Sequence, residues 1–234
     1  MTAPVAESLH HQAVDAMESE DFTKALELSV TALLRYQAEG NNAKFAEVVA
    51  LQFLIYNHLF RSTDDKKYQI LAGHSAEASY DLAVATGDKA AIAIPAYNLF
   101  KYLESVAKWS DAREALERAI KFQTEYPHTT QSSPAILADM KVRLALLPQA
   151  DGSPDPDIVD NFENAMSHLE DTPHPDQHAK NAWMAGNYIR AANSFIDDDK
   201  AREYLADAKV IIDSDPTLSI LKKRWEEVNA SFSS

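Results

Sequence analysis

The feature that most restricts the fold is a spacing of small residues that recurs along the chain. Ala25-x3-Ser29-x2-Ala32 returns as Ala112-x3-Leu116-x2-Ala119 and as Ala201-x3-Leu205-x2-Ala208, with Ala72-x3-Ala76-x2-Ser79 as a weaker copy. Steps of three and four put such positions on one face of a helix. Small side chains there let a partner helix approach to the usual ~8–10 Å between axes, and a large residue would force the pair apart. A second recurrence runs alongside. Leu59-Phe60-Arg61 and Leu99-Phe100-Lys101 stand about 40 residues apart, within the period range of helical arrays. An aromatic residue, Phe22 or Trp109, precedes two of the stripes and is placed to close a hairpin at its turn. A helix pair of this kind cannot bury its apolar face alone, so neighbouring pairs must stack into a continuous core.

The hydrophobic periodicity and its punctuation predict eleven helices. They cover 4–19, 22–38, 43–61, 66–86, 89–107 and 111–125, then 134–147, a segment bearing Ile158, Val159, Phe162, Met166 and Leu169 on one face, 177–196, 199–213, and a last helix opened by Asp215-Pro216. Asp21 is the expected N-cap of the second helix and Gly40 its stop. Thr63, Asp64 and Asp65 offer caps for the fourth, Gly87-Asp88 separates the fourth from the fifth, and Ser110 caps the sixth. Pro95 falls inside the fifth segment, which requires a first-turn position or a kink. Ser133-Pro134 places a cap and a proline at the start of the seventh. The strongest loop signal is 148–156 (PQADGSPDP), and 172–176 (TPHPD) breaks the chain again. Short loops between helices imply antiparallel neighbours. The expected fold is all-α: a solenoid of about five antiparallel hairpins plus a C-terminal capping helix. In the last helix Leu218, Leu221 and Trp225 cover the apolar end of the stack, while Lys222, Lys223, Glu226 and Glu227 meet water.

Composition removes several functional classes. The chain has 234 residues, with 22 Lys+Arg against 36 Asp+Glu and a net charge of −14. Such a surface repels phosphate backbones and anionic lipid, so neither nucleic acid nor membrane is an expected partner. No cysteine is present, which excludes disulfides, thiolate metal ligands and thiol nucleophiles. Five glycines are too few for a glycine-rich phosphate cradle or a hairpin-rich β-protein. Residues 1–12 lack the basic and apolar regions of a secretory signal, and the longest apolar stretch, 45–60, is interrupted by Glu47, Gln52, Asn57 and His58. A cytoplasmic location is expected.

With these motifs in place, the sequence resembles the tetratricopeptide repeat family, in its longer variant of about 40 residues per repeat. Asp21-Phe22-Thr23-Lys24-Ala25-Leu26 and Lys108-Trp109-Ser110-Asp111-Ala112 resemble that family's turn into its second helix. Asn98-Leu99 sits where the family has Asn-Leu-Gly, with Phe100 in place of the glycine. Pro127 and Asp215-Pro216 resemble the proline that ends a repeat, and Gly87-Asp88 and Gly40-Asn41 resemble the joints of the longer variant. The resemblance covers most of 1–127 and, less fully, 176–232, and it leaves 132–171 with a hairpin pattern but no motif. The resulting division is three hairpins over 1–127, a divergent hairpin with a proline-rich loop over 128–173, and a hairpin plus capping helix over 174–234, all in one continuous domain.

The resemblance implies a concave groove lined by the first helix of each hairpin, taking an extended peptide or a partner's helix. By register, its expected lining includes His10, Asn57, Arg61, Tyr97, Lys101, Trp183, Asn187 and Arg190. Amides and cations in one trough suit a peptide backbone or a carboxylate. The family's clamp for a C-terminal carboxylate is not reproduced, because His10 and Val14 occupy its first positions. Any amphipathic helix also needs a polar face, so the same residues equally fit solvated surface.

Catalytic and metal patterns are weak. His174-x3-His178 has metal-ligand spacing, with His168 and Asp176 nearby, but Pro173 and Pro175 argue for a loop. Asp197-Asp198-Asp199 is expected to give one N-cap and to complement the helix dipole with the others. The reading from sequence is a non-enzymatic scaffold or adaptor with a protein or peptide partner, no cofactor and no metal. The alternatives are a sensor of a short peptide or small ligand and a self-assembling structural protein. Homo-oligomerisation is left open.

Overall fold

The computed structural model describes residues 5–127, 133–149, 152–174, 176–194 and 196–232. Among these residues the chain is helical throughout, with no strand. The helices are α1 (Val5–Glu18), α2 (Phe22–Glu39), α3 (Asn42–Thr63), α4 (Lys66–Ala85), α5 (Ala93–Ser105), α6 (Trp109–Glu125), α7 (Pro134–Leu146), α8 (Ile158–Asp171), α9 (Gln177–Ala192), α10 (Asp198–Ser214) and α11 (Ser219–Ser231). They pack with their neighbours along the chain, so the expected all-α hairpin-repeat architecture is the one observed. The contacts divide the chain into two compact units, 1–122 and 123–234. The start of the first helix at Pro4 and the connector 128–132 lie outside the described residues.

In the first unit α1 packs on α2 and α3 on α4, and the first helices of successive hairpins also meet, α1 with α3 and α3 with α5. The joints follow from local chemistry. The Asp21 carboxylate accepts from the Lys24 amide at 3.2 Å and starts α2. Gly40 ends it at φ +68, a conformation that favours glycine, and the Asn41 side chain then caps α3 through the Lys44 amide at 3.1 Å. Gly87 and Asp88 repeat this joint, with φ +73 at the glycine and the Asp88 side chain accepting from Ala90 at 3.0 Å.

The small-residue stripes are buried, and Ala25, Ser29, Ala32, Ala76, Ser79, Ala112 and Ala119 are all fully enclosed. Leu59 packs with Ala13, Ala16 and Ala25 of the α1–α2 hairpin, alongside Leu51 and Ile55 of its own helix. Leu99 packs with Phe53, Ala72 and Ala76, on the α3–α4 hairpin. Residues about 40 apart thus occupy the same place in successive layers.

Three elements before the last helix differ from the expectation. The segment 89–107 is a 3-10 turn, Lys89–Ala91, followed by α5, because Pro95 in the first turn of α5 has no amide to extend a helix back through Ala91. The sixth helix starts at Trp109, so Ser110 lies inside it rather than capping it. The ninth ends at Ala192 instead of Ile196, with Asn193 as its C-cap.

Gly73 on α4 is buried because the Tyr102 ring of α5 fills the space where a Cβ would stand. That ring is half-buried among Phe53, Ala72, Ala76 and Leu99 and has little room to swing. Gly73→Ala is therefore expected to destabilise the protein by about 1–3 kcal/mol despite alanine's better helix propensity. Urea denaturation reads this directly, and the added Tyr102→Leu change should recover part of the loss.

In the second unit α7 packs on α8 and α9 on α10, with α7 and α8 also against α9. The segment without recognisable motif therefore continues the hairpin pattern into α9. Its core holds Val142, Leu146, Phe162, Met166, Leu169, Ala201 and Leu205. Helix α11 lies on α9 and α10, with Leu218 buried, Leu221 and Trp225 half-buried, and Lys222, Lys223, Glu226 and Glu227 exposed. The Trp225 indole N–H donates to the Leu205 carbonyl at 2.7 Å, which fixes that helix in place. It begins at Ser219 rather than at Asp215-Pro216. The Asp215 carboxylate instead accepts from the Thr217 amide at 3.2 Å and holds the preceding turn.

Candidate functional site

The residues expected to line a groove fall in both units. In the first unit, α3 buries Phe53 and Ile55 and carries Asn57 and Arg61 further along. Asn57 is half-buried and Arg61 exposed. Helix α5 contributes Tyr97 and Lys101. Tyr97 is only 4% exposed, stacked on Phe100 at 5.8 Å, and so belongs to the core more than to an open wall. It serves as a platform, with the Lys101 ammonium 4.2 Å from its ring centre. Lys101 also donates to the Asn98 Oδ1 at 3.5 Å, at the outer limit for such a bond. The Asn98 amide is buried, and its Nδ2 has no hydrogen-bond partner.

His58 ties these groups together. Its ring lies flat on Phe22, the first residue of α2, with centroids 5.8 Å apart and planes 15° from parallel. Burial lowers its pKa to about 4, and the positive charges of Arg61 and Lys101 push in the same direction. A single imidazole therefore senses cations from two successive first helices. His10 stands apart from this cluster. It is half-buried on α1, with its ring edge-on to Tyr36 at 6.2 Å. Burial lowers its pKa too, here opposed by Glu47.

In the second unit the sequence expected Trp183, Asn187 and Arg190 to be exposed groove residues; the structure buries Asn187 and leaves Trp183 and Arg190 half-buried. Trp183 packs against the core, with His174 edge-on at 4.9 Å. Asn187 is fully buried and donates to the Asp139 carboxylate at 2.7 Å, while Arg190 donates to the Asn187 carbonyl at 2.6 Å. Asp139 also lies 3.5 Å from the Arg143 Nε, and both of those side chains are buried. Asn187 thus centres an internal polar network between α7 and α9. The register of α9 misled because a heptad-like pattern does not tell a solvated asparagine from one with a buried acceptor. The available signal was Asp139 and Arg143, an opposite-charge pair one turn apart in the largely apolar α7.

The histidine cluster also resolves into structure. His178 Nδ1 lies 2.9 Å from the Asp215 carboxylate and 3.1 Å from the Thr217 hydroxyl, and that hydroxyl donates to Asp215. Both partners sit at the same ring nitrogen, whereas a nucleophilic relay needs the hydroxyl and the carboxylate at opposite nitrogens. The arrangement pins the start of α9 to the turn before α11. Among the described residues no three His, Cys, Asp or Glu side chains converge as metal ligands. The Asp197 carboxylate caps α10 through the amides of Asp199 and Lys200, both at 3.1 Å, with Asp198 and Asp199 in its first turn.

The sequence reading also missed an open groove of about 440 Å³ in the first unit, floored by Val84, Ile92 and Phe122, where Arg118 bonds to the Tyr80 hydroxyl and to Glu114. None of the described helices is long and apolar enough to cross a membrane. No family model matches the chain, and no curated protein is significantly similar to it.

Proposed function

We propose that the protein is a non-enzymatic interaction scaffold of tetratricopeptide type, and that the α3–α5 face of its first unit holds a peptide or a partner helix. The observation that carries this reading is the convergence of Arg61 and Lys101 on one imidazole, from helices that occupy equivalent places in successive hairpins. A hairpin array that repeats its first-helix polar positions can grip a chain of matching repeat, with cations and the Asn57 amide engaging carboxylates and peptide carbonyls. These cations belong to a chain of net charge −14. A local positive patch on an acidic body favours an acidic segment at short range and discriminates against a uniformly acidic protein at long range.

The test uses a labelled acidic 12-residue peptide and, separately, cell-extract crosslinking. Arg61→Glu combined with Lys101→Glu should weaken peptide binding at least tenfold by fluorescence anisotropy, with the wild-type affinity falling as salt rises. The same double change should remove whichever crosslinked species the wild type captures. Equal binding by both proteins, at both salt concentrations, would mean that this face is solvated surface.

A further inference from the structure

The imidazole at the centre of that face is also the contact between two hairpins. We propose that His58 is an acid-sensitive latch, and that proton uptake there releases the end of α3 from Phe22 and from the α1–α2 hairpin. The inference needs no partner and stands or falls apart from the peptide reading.

Its basis is geometric. The His58 ring stacks on Phe22 where α2 begins, beside the apolar cluster of Ala13, Ala16, Ala25, Leu51 and Ile55 that joins α3 to the first hairpin. A neutral imidazole suits this aromatic, desolvated position, and a charged one must regain water. The charges that act on the ring oppose a proton there. On its own helix the nearest is Arg61, and on α5 it is Lys101, both cations that act on the ring. In the α1–α2 turn Asp21 is engaged with the Lys24 amide, and Asp15 and Glu18 at the end of α1 are exposed. At the start of α4, Asp65 pairs with Lys67 at 2.7 Å. The charges that act on the ring are thus both positive, and each disfavours a proton on it.

The sign follows from linkage. Folding lowers the His58 pKa from 6.5 to about 4. Above 6.5 both states are neutral and the group contributes nothing to the pH dependence. Between 6.5 and about 4 the unfolded chain takes the proton and the folded one does not, so stability falls with pH throughout that window and levels off below it.

The experiment follows the His58 ring by NMR in the full chain and compares denaturation of the wild type with His58→Phe, which keeps the stacking and cannot charge. Between pH 7.5 and 5 the unfolding constant of the wild type should rise about thirty-fold more than that of the variant. Relative to the intrinsic exchange rate at each pH, amide protection in α1 and α2 should fall on acidification in the wild type and hold in the variant. A ring that titrates near 6.5, or identical acid sensitivity in the two proteins, would overturn the latch. If His58→Phe does not fold, Arg61→Gln with Lys101→Gln serves in its place. It should shift the His58 midpoint upward and reduce the acid sensitivity, and an unmoved midpoint would overturn the proposal.

Discussion

Replacing Asp139 with alanine is expected to lower stability by about 3–5 kcal/mol, the range found when one member of a buried charge pair is removed. The carboxylate is 3% exposed and accepts the Asn187 amide N–H at 2.7 Å while facing the Arg143 guanidinium. Truncation takes the counter-charge from a buried cation and the acceptor from a fully buried amide. Neither group gains water in exchange, because α7 and α9 close over them. Asp139→Asn separates the two effects. It keeps an oxygen for Asn187 and removes the charge, so its loss should fall well below that of alanine. Equilibrium urea denaturation of both variants, with the slope checked for constancy, measures the difference. A loss under about 1 kcal/mol for alanine would mean that the network gives no net stabilisation, which buried ion pairs in other proteins sometimes do not.

The fold was legible because its determinants are local or periodic. Asp21, Gly40, Gly87 and Asp88 act within a few residues of themselves, and the structure uses each of them at a helix end. The stripe at Ala25, Ser29 and Ala32 and its copies state which face meets a neighbour, and those positions are buried. Helix ends were misread where a remote or competing interaction decided them. The last helix waits until Ser219 because Asp215 is held by Thr217 and by His178, a residue 37 positions earlier.

The candidate site was only half legible for a related reason. Register separates the core face of a helix from the rest, and it does not separate groove from interior in a helix covered on more than one side. Asn57 and Arg61 lie near the surface, as a polar face requires, whereas Asn187 has the same residue type and register argument and is fully enclosed. What differs is Asp139, supplied by a helix more than 40 residues earlier. Tyr97 failed similarly, since its stacking on Phe100 draws it inward. His58 went unread because its setting depends on Phe22 and Lys101, which only the packing brings together.

Phe162→Ala should cost about 3–5 kcal/mol and fall in the upper part of that range. Phe162 on α8 is fully buried and meets Tyr204 edge-on at 4.9 Å and Tyr188 at 6.0 Å. The cost of such a truncation depends on how far the walls can collapse into the void. Here they are held. The Tyr204 hydroxyl donates to Glu163 at 3.1 Å and the Tyr188 hydroxyl to Glu170 at 2.6 Å, so either ring must break a hydrogen bond to move inward. Phe162→Leu keeps most of the volume and should lose only about 1–2 kcal/mol. Adding Tyr204→Phe to Phe162→Ala frees one wall, so the double variant should be less destabilised than the sum of the two single changes. Strict additivity would show that the rings do not limit the collapse, and the cost of the cavity would then lie with the aliphatic neighbours Met166, Leu169 and Leu205.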